Sequence, residues 1–194
     1  KNPLDFALWK KSKPNEPAWS SPWGMGRPGW HIECSVMSIK YLGETIDIHA
    51  GGEELIFPHH ENEIAQSEAY TGKPFVRYWM HHGLITIKAE KMAKSIGNVI
   101  LISDLLERYD ADAFRYFVLS AHYRNPLEYS EESMIAAQNT INNVKRAIKK
   151  IEYALSFPSK ETKEKIDIEI EKFKEEIIKE LSYDFNTPKA LALL

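Results

Sequence analysis

The sequence predicts an α/β fold that gives way to helices, and three observations carry that prediction. ETIDIHAGG, residues 44–52, alternates in polarity as a half-buried strand does. A helical segment follows it, and RYWMHHGLITI, residues 77–87, reads as a second strand. Strand, helix, strand in that order is the parallel crossover unit of an α/β sheet. Third, composition changes near residue 100, from Trp, Gly, Pro and His to long mixed-charge segments with helical periodicity.

Element by element, SKPNEPAWSSPWGMGRPGW (12–30) is dense in breakers and reads as a loop. A short helix follows, with Ile32, Val36 and Ile39 on one side and a stop near Gly43. The strand 44–52 closes on paired glycines, which suit a tight backbone turn. Pro58 suits the first turn of a helix ending at Gly72, because its missing N–H is not needed there. After the second strand and a polar loop, residues 103–122 read as two short helices carrying Leu105, Leu106, Phe114, Phe117 and Val118.

Ser130 is a natural N-cap, with Glu131 and Glu132 favouring the positive end of the helix. Met134, Ala137, Ile141, Val144, Ile148, Ile151 and Leu155 then form one apolar seam, interrupted at Pro158. Ile166, Ile170, Phe173, Ile177 and Leu181 form a second stripe, so this region reads as an incomplete helical bundle. No internal repeat or low-complexity tract is visible.

Bulk properties narrow the function classes. The 194 residues, 43% hydrophobic and 27% charged, are ordinary for a globular chain. A net charge of −3 excludes a global basic footprint, leaving only local patches for nucleic acid. The single cysteine, Cys34, excludes an internal disulfide and fits a reducing compartment. No signal peptide and no membrane-spanning apolar run is found, so a cytoplasmic protein is expected. Lys1 in place of a methionine, and an end inside NTPKALALL, suggest a piece of a longer protein.

Two stretches carry chemistry. In FPHHENEIA (57–65), His59 and Glu63 stand one helical turn apart and can share one Zn²⁺, with the Cys34 thiolate as a third ligand of matching softness. A solvated His/Glu pair and a buried apolar cysteine account for the same spacing. In KAEKMAKSIGN (88–98), Lys91 and Lys94 can neutralise the charge of a triphosphate, or belong to a solvated basic loop.

KMAKS resembles the KMSKS signature of class I aminoacyl-tRNA synthetases. GRPGWHIECS together with DIHAGGEELIFPHHENEIAQS resembles the cysteinyl-tRNA synthetase family in particular. The likeness continues through WMHHGLITIKAEKMAKSIGN and YDADAFRYFVLSAHYRNPLEYS to YDFNTPKALALL, and so covers essentially the whole chain. It implies the second half of a Rossmann-like catalytic domain with the zinc site and the KMSKS-like loop over residues 1–100. A stem-contact-like helical region over 101–130 and a truncated tRNA-binding helical region over 131–194 complete the implied division.

The resemblance further implies an ATP-dependent cysteine–tRNA ligase whose partners are L-cysteine, ATP and tRNA(Cys), working as a monomer. In that family an active-site zinc binds the substrate thiolate, and the matching ligands here are Cys34, His59 and Glu63. The family's remaining protein ligand, a cysteine just ahead of its HIGH-like motif, has no counterpart in these residues. His60 and Glu61 match as neighbours of the ligands. Trp30 matches the tryptophan that walls the cysteine pocket. Lys94 is the lysine nearest the reacting phosphate and Lys91 supports loop closure; both stand as the catalytic residues.

Gly51, Gly52 and Glu54 fall where backbone approaches the adenosine, and Mg²⁺ accompanies ATP without an assigned protein ligand. Two departures are visible: Glu54 replaces an aspartate, and Ala93 replaces the first serine of KMSKS. A zinc–thiolate bond distinguishes cysteine from serine, which a pocket judging shape alone rejects poorly.

Two other readings compete. One is an ATP-dependent cysteine:amino-sugar ligase with the same zinc and adenylate chemistry, against which the residues after Pro158 count. The other is a non-catalytic helical module binding RNA or a partner, with Lys145, Arg146, Lys149 and Lys150 off the apolar seam. Isolated from its missing half, the piece is expected to be inactive.

Overall fold

The structure is a computed structural model in which residues 2, 4–87, 90–91, 97, 99–157 and 163–194 are described. Contacts divide it into two compact units, Lys1–His82 and Gly83–Leu194.

In the first unit, β1 (Trp9–Lys11) pairs antiparallel with β2 (Gly26–Pro28), flanking a loop. Sequence patterning missed this hairpin because each strand has three residues, too few to alternate visibly. Gly26 makes the pairing possible: a Cβ there would lie 2.3 Å from the Trp9 indole nitrogen. Helix α1 (Trp30–Leu42) follows and stops at Gly43, whose φ of 102° is costly for other residues. Its buried side chains are His31 and Ser35, whereas Ile32, Val36 and Ile39 line a groove with Tyr70. The innermost positions of α1 are therefore polar, and its apolar side chains border the groove beside them.

Strand β3 (Ile46–Gly52) and β4 (Val76–His82) run parallel, in register from Ile46 opposite Val76 to Gly52 opposite His82. Between them, a 3₁₀ turn (Glu53–Leu55) and a wide turn (Ile56–His60) lead into α2 (Glu61–Thr71), capped by Gly72 in the left-handed region. The crossover is thus found as expected. Pro58, however, lies in the turn ahead of α2 rather than in its first turn, and its peptide bond to Phe57 is cis.

Residues 77–87 do not form one strand: β4 ends at His82 and β5 (Ile85–Ile87) belongs to the second unit. Gly83 separates them. Its N–H donates to the Tyr123 carbonyl, and a Cβ on it would meet the Asn125 carbonyl at 2.3 Å.

In the second unit, β5 lies between β6 (Glu90–Lys91, antiparallel) and β7 (Leu127–Tyr129, parallel). Helices α3 (Ile102–Leu106) and α4 (Ala111–Leu119) supply Leu105 and Phe117 to a core shared with Tyr129, Met134 and Ala137. Helix α5 (Glu131–Leu155) starts in a capping box: Ser130 Oγ accepts from the Ser133 N–H, and Ser133 Oγ accepts from the Ser130 N–H. Only Met134 and Ala137 of its seam are buried, while Ile151 is 58% and Leu155 77% exposed. Helices α6 (Lys163–Ser182) and α7 (Thr187–Ala192) follow, with Phe173, Ile177 and Leu181 half-buried. Pro158 and the side chain of Ile166 lie outside the described residues.

Candidate metal centre

Five elements of the first unit converge on one buried polar cluster. Helix α1 contributes His31 and Cys34, and β3 contributes His49 from its middle. The wide turn and the first turn of α2 contribute His59, His60 and Glu63, and β4 contributes His81. The parallel register sets His49 opposite Trp79 and Gly51 opposite His81, so the two histidines lie two register positions apart on neighbouring strands.

Glu63 is the centre of the cluster and is fully buried. Its Oε1 lies 2.5 Å from Nε2 of His59, one turn earlier, and its Oε2 lies 3.2 Å from Nε2 of His49. The Cys34 thiol is a third neighbour of this carboxylate, close enough to hydrogen-bond it. Burial raises its pKa to about 7, an effect that the nearby Cys34 thiol partly offsets. Burial also raises the pKa of Cys34, as does the neighbouring Glu63 carboxylate.

The imidazoles are held neutral. Burial, reinforced by His49 and its neighbours, depresses His60 to about 4, and burial lowers His31, His49 and His59 as well. Neutral imidazoles are the form that binds metals. The rings also brace one another: His31 Nδ1 and His59 Nδ1 share a 2.9 Å hydrogen bond, and His60 Nδ1 and His81 Nε2 share one of 2.8 Å. Ring-nitrogen partners of this kind fix the orientation of ligating histidines.

Cys34, His59 and Glu63 each present a ligand atom, all within 4.8 Å of one another. One sulfur, one nitrogen and one oxygen suit Zn²⁺. A buried carboxylate flanked by imidazoles and a thiol is costly unless a proton or cation meets it, and this donor set fits a metal. Trp30 stacks on His59 at 4.5 Å between ring centroids, and its indole remains 51% exposed. It therefore forms one wall beside the ligands while facing solvent.

His60 is buried against His49, Trp79 and His81, whereas Glu61 is on the exposed face of α2. His31, His49 and His81 were not singled out by sequence reasoning. Their only local signals are weak: His31 sits one turn before Cys34, and His49 shares its strand face with Gly51.

Gly51 packs directly on His60, since a Cβ there would stand 2.7 Å from Cε1 of that ring. Gly52 is buried, and Glu54 is exposed in the 3₁₀ turn. Lys91 lies in β6 of the second unit, and nothing of its side chain is described; Lys94 and Ala93 lie outside the described residues. On α5, the Lys145 ammonium pairs with Asp110 and Asp112, and Arg146 reaches Asn143, so both are engaged within the protein. Among the described residues, no helix is long and apolar enough to cross a membrane.

Residues 1–139 match the model of the tRNA synthetases class I (C) catalytic domain. Cysteine–tRNA ligase of Thermodesulfovibrio yellowstonii is 59% identical over 201 residues, covering all of this chain and 41% of the relative. Those of Thermosipho africanus and Bacillus cereus are 54% and 53% identical, over 41% and 42% of their lengths. The chain thus spans about two fifths of these relatives. Among solved structures, the LeuRS–tRNA–LeuAMS complex of Agrobacterium radiobacter superposes with a TM-score of 0.67 at 17% identity, over 91% of this chain and 28% of that one. Methionyl-tRNA synthetase of Mycobacterium tuberculosis with methionyl-adenylate gives 0.57 at 22% identity, over 76% and 31%. Both likenesses concern the fold. With most of its length matched by one family model and all of it by high-identity relatives, this chain belongs to the class I tRNA synthetases (C) catalytic-domain family.

Proposed function

We propose that this chain is the second half of the catalytic region, with its following helices, of an enzyme that activates cysteine with ATP and transfers it to tRNA(Cys). The observation that carries the reading is the convergence of Cys34, His59 and the fully buried Glu63 carboxylate, whose ligand atoms all lie within 4.8 Å of one another. The isolated parallel pair β3–β4 supports the fragment reading, because parallel sheets are normally covered on both faces and have further strands. Residues 1–100 would complete the sheet domain, 101–130 would meet the tRNA stem, and 131–194 would begin the tRNA-binding helices.

In the first step the cysteine carboxylate oxygen forms a bond to the α-phosphorus of ATP, and the bond to pyrophosphate breaks in line. In the second, a terminal tRNA hydroxyl attacks the acyl carbon and AMP departs. No protein nucleophile is needed, so the protein acts by positioning and by charge stabilisation. Lys94 meets the developing phosphate charge and Lys91 holds its loop closed. The Gly51–Gly52 backbone and Glu54 receive the adenosine, and Mg²⁺ accompanies the phosphates.

Cys34, His59 and Glu63 would hold zinc, whose bound form supplies a bond for the substrate thiolate that serine cannot replace. Trp30, braced on His59, closes one side of the amino-acid pocket. The parent enzyme is expected to be a cytoplasmic monomer, and this piece alone inactive.

Metal content and cysteine-dependent ATP–pyrophosphate exchange, measured on the full-length parent and its Cys34→Ser variant, test the reading. Loss of zinc and of cysteine activation together is expected. Unchanged values for both would overturn the ligand assignment, and appreciable exchange by the isolated piece would overturn the fragment claim.

A further inference from the structure

We propose that Glu63 serves two metal sites, the set with Cys34 and His59 and a second, sulfur-free set formed by His49, His60 and Glu63. The second set goes beyond the proposed synthetase chemistry and does not depend on it. One ligand atom from each of His49, His60 and Glu63 lies within 4.8 Å of the others, and all three side chains are buried or half-buried.

The carboxylate is divided between the two sets. Oε1 faces His59, and Oε2 faces His49. The second set thus has its own carboxylate oxygen, Oε2, aimed at an imidazole. Ligand bonds of about 2.0–2.1 Å at the tetrahedral angle place neighbouring ligand atoms about 3.3 Å apart. The His49–Glu63 separation of 3.2 Å already matches that edge, whereas the 2.5 Å contact of His59 must open to admit an ion.

The surroundings favour a bound ion on this side as well. His81 hydrogen-bonds the His60 ring at 2.8 Å, the outer contact that orients a ligating imidazole. Gly51 leaves the space beside that ring clear, where a Cβ would lie 3.0 Å from Nε2. Trp79 packs on both His49 and His60, so the pair is held together without a bound ion.

Ligand softness then sorts the ions. The set with Cys34 suits zinc, and the imidazole–carboxylate set suits Ni²⁺, which binds nitrogen and oxygen donors and stands above Co²⁺ in intrinsic affinity. One shared carboxylate makes occupation of the two sets interdependent: an ion held by Oε1 repels one at Oε2. Removing Cys34 empties the first set of zinc and leaves Oε2 with the second set, so Ni²⁺ binding there is expected to survive that substitution.

Equilibrium dialysis of the chelator-stripped chain against Ni²⁺, with visible absorption to follow the ligand field, tests the proposal. Cys34→Ser is expected to retain one equivalent of Ni²⁺ with affinity within about threefold of the unaltered chain. Adding His60→Gln to that variant is expected to weaken Ni²⁺ at least tenfold, as loss of a ligand or its support does. If the double variant does not fold by circular dichroism, Cys34→Ser with His49→Gln gives the same comparison on the opposite ligand.

Loss of Ni²⁺ by Cys34→Ser alone, or equal retention by the double variant, overturns the second set. The zinc reading is judged separately, by zinc retained in the unaltered chain and lost in Cys34→Ser. Either result can therefore fail without the other.

Discussion

Glu63 Oε1 and His59 Nε2 face each other across 2.5 Å in the interior of the first unit, one helical turn apart and both shielded from water. An imidazole nitrogen and a carboxylate at that distance share a proton or a cation. With the Cys34 thiol beside them, the geometry supports a cation.

Glu63→Gln keeps the size of the side chain and removes its charge. In the full-length parent it is expected to lower zinc affinity by tenfold or more and to lower cysteine activation in parallel. Metal analysis after dialysis, with ATP–pyrophosphate exchange, checks this. Full zinc content at an unchanged exchange rate would show that the carboxylate is not a ligand.

Trp30 is stacked on His59 yet half exposed, as a wall residue should be. Trp30→Ala is expected to raise KM for cysteine about tenfold, equivalent to about 1.4 kcal/mol, with a smaller change in kcat. Exchange kinetics at varied cysteine would separate the two, and an effect on kcat alone contradicts a role in substrate binding.

Lys94 is assigned to the reacting phosphate. Removing one such charge-stabilising group typically costs about 10²–10³ in rate, so Lys94→Ala in the parent should lower kcat on that scale. A variant within a few-fold of the parent enzyme removes Lys94 from the phosphate site.

Helix α5 offers a packing test. Met134 is fully buried, so Met134→Ala is expected to cost about 2–5 kcal/mol. Ile151→Ala, at a position 58% exposed, should cost well under 1 kcal/mol in this chain. Urea unfolding of the two variants makes the comparison; equal losses would mean that the whole seam is packed.

Asp184 gives a pH dependence. Arg124 donates to both of its oxygens and Tyr123 to one, and these contacts hold its pKa down to about 2. Because the folded value is depressed, the stabilisation is present above the ordinary value near 3.8 and lost as pH falls from there towards 2. The difference in melting temperature between the unaltered chain and Asp184→Asn should therefore shrink over that window. A constant difference would mean that the carboxylate charge contributes nothing.

Much of the candidate site is legible in the primary sequence because its candidate ligands obey local rules. His59 and Glu63 are four residues apart, which a helix converts into neighbours, and Gly43, Gly72 and Ser130 mark element ends through backbone constraints. Residue spacing also gave the parallel crossover of β3 and β4, whereas KMAKS lies largely outside the described residues.

What spacing could not supply was everything set by distant chain segments meeting. His31, His49 and His81 join the cluster through helix packing and parallel register, and no periodicity relates them to His59 or Glu63. The buried positions of α1, His31 and Ser35, are polar, and hydrophobic patterning does not mark them. Sequence alone thus determined the elements and the ligand types, through local backbone geometry and donor chemistry. Only tertiary structure decided that one buried carboxylate stands between two imidazoles, because that depends on burial and on contacts between elements far apart along the chain.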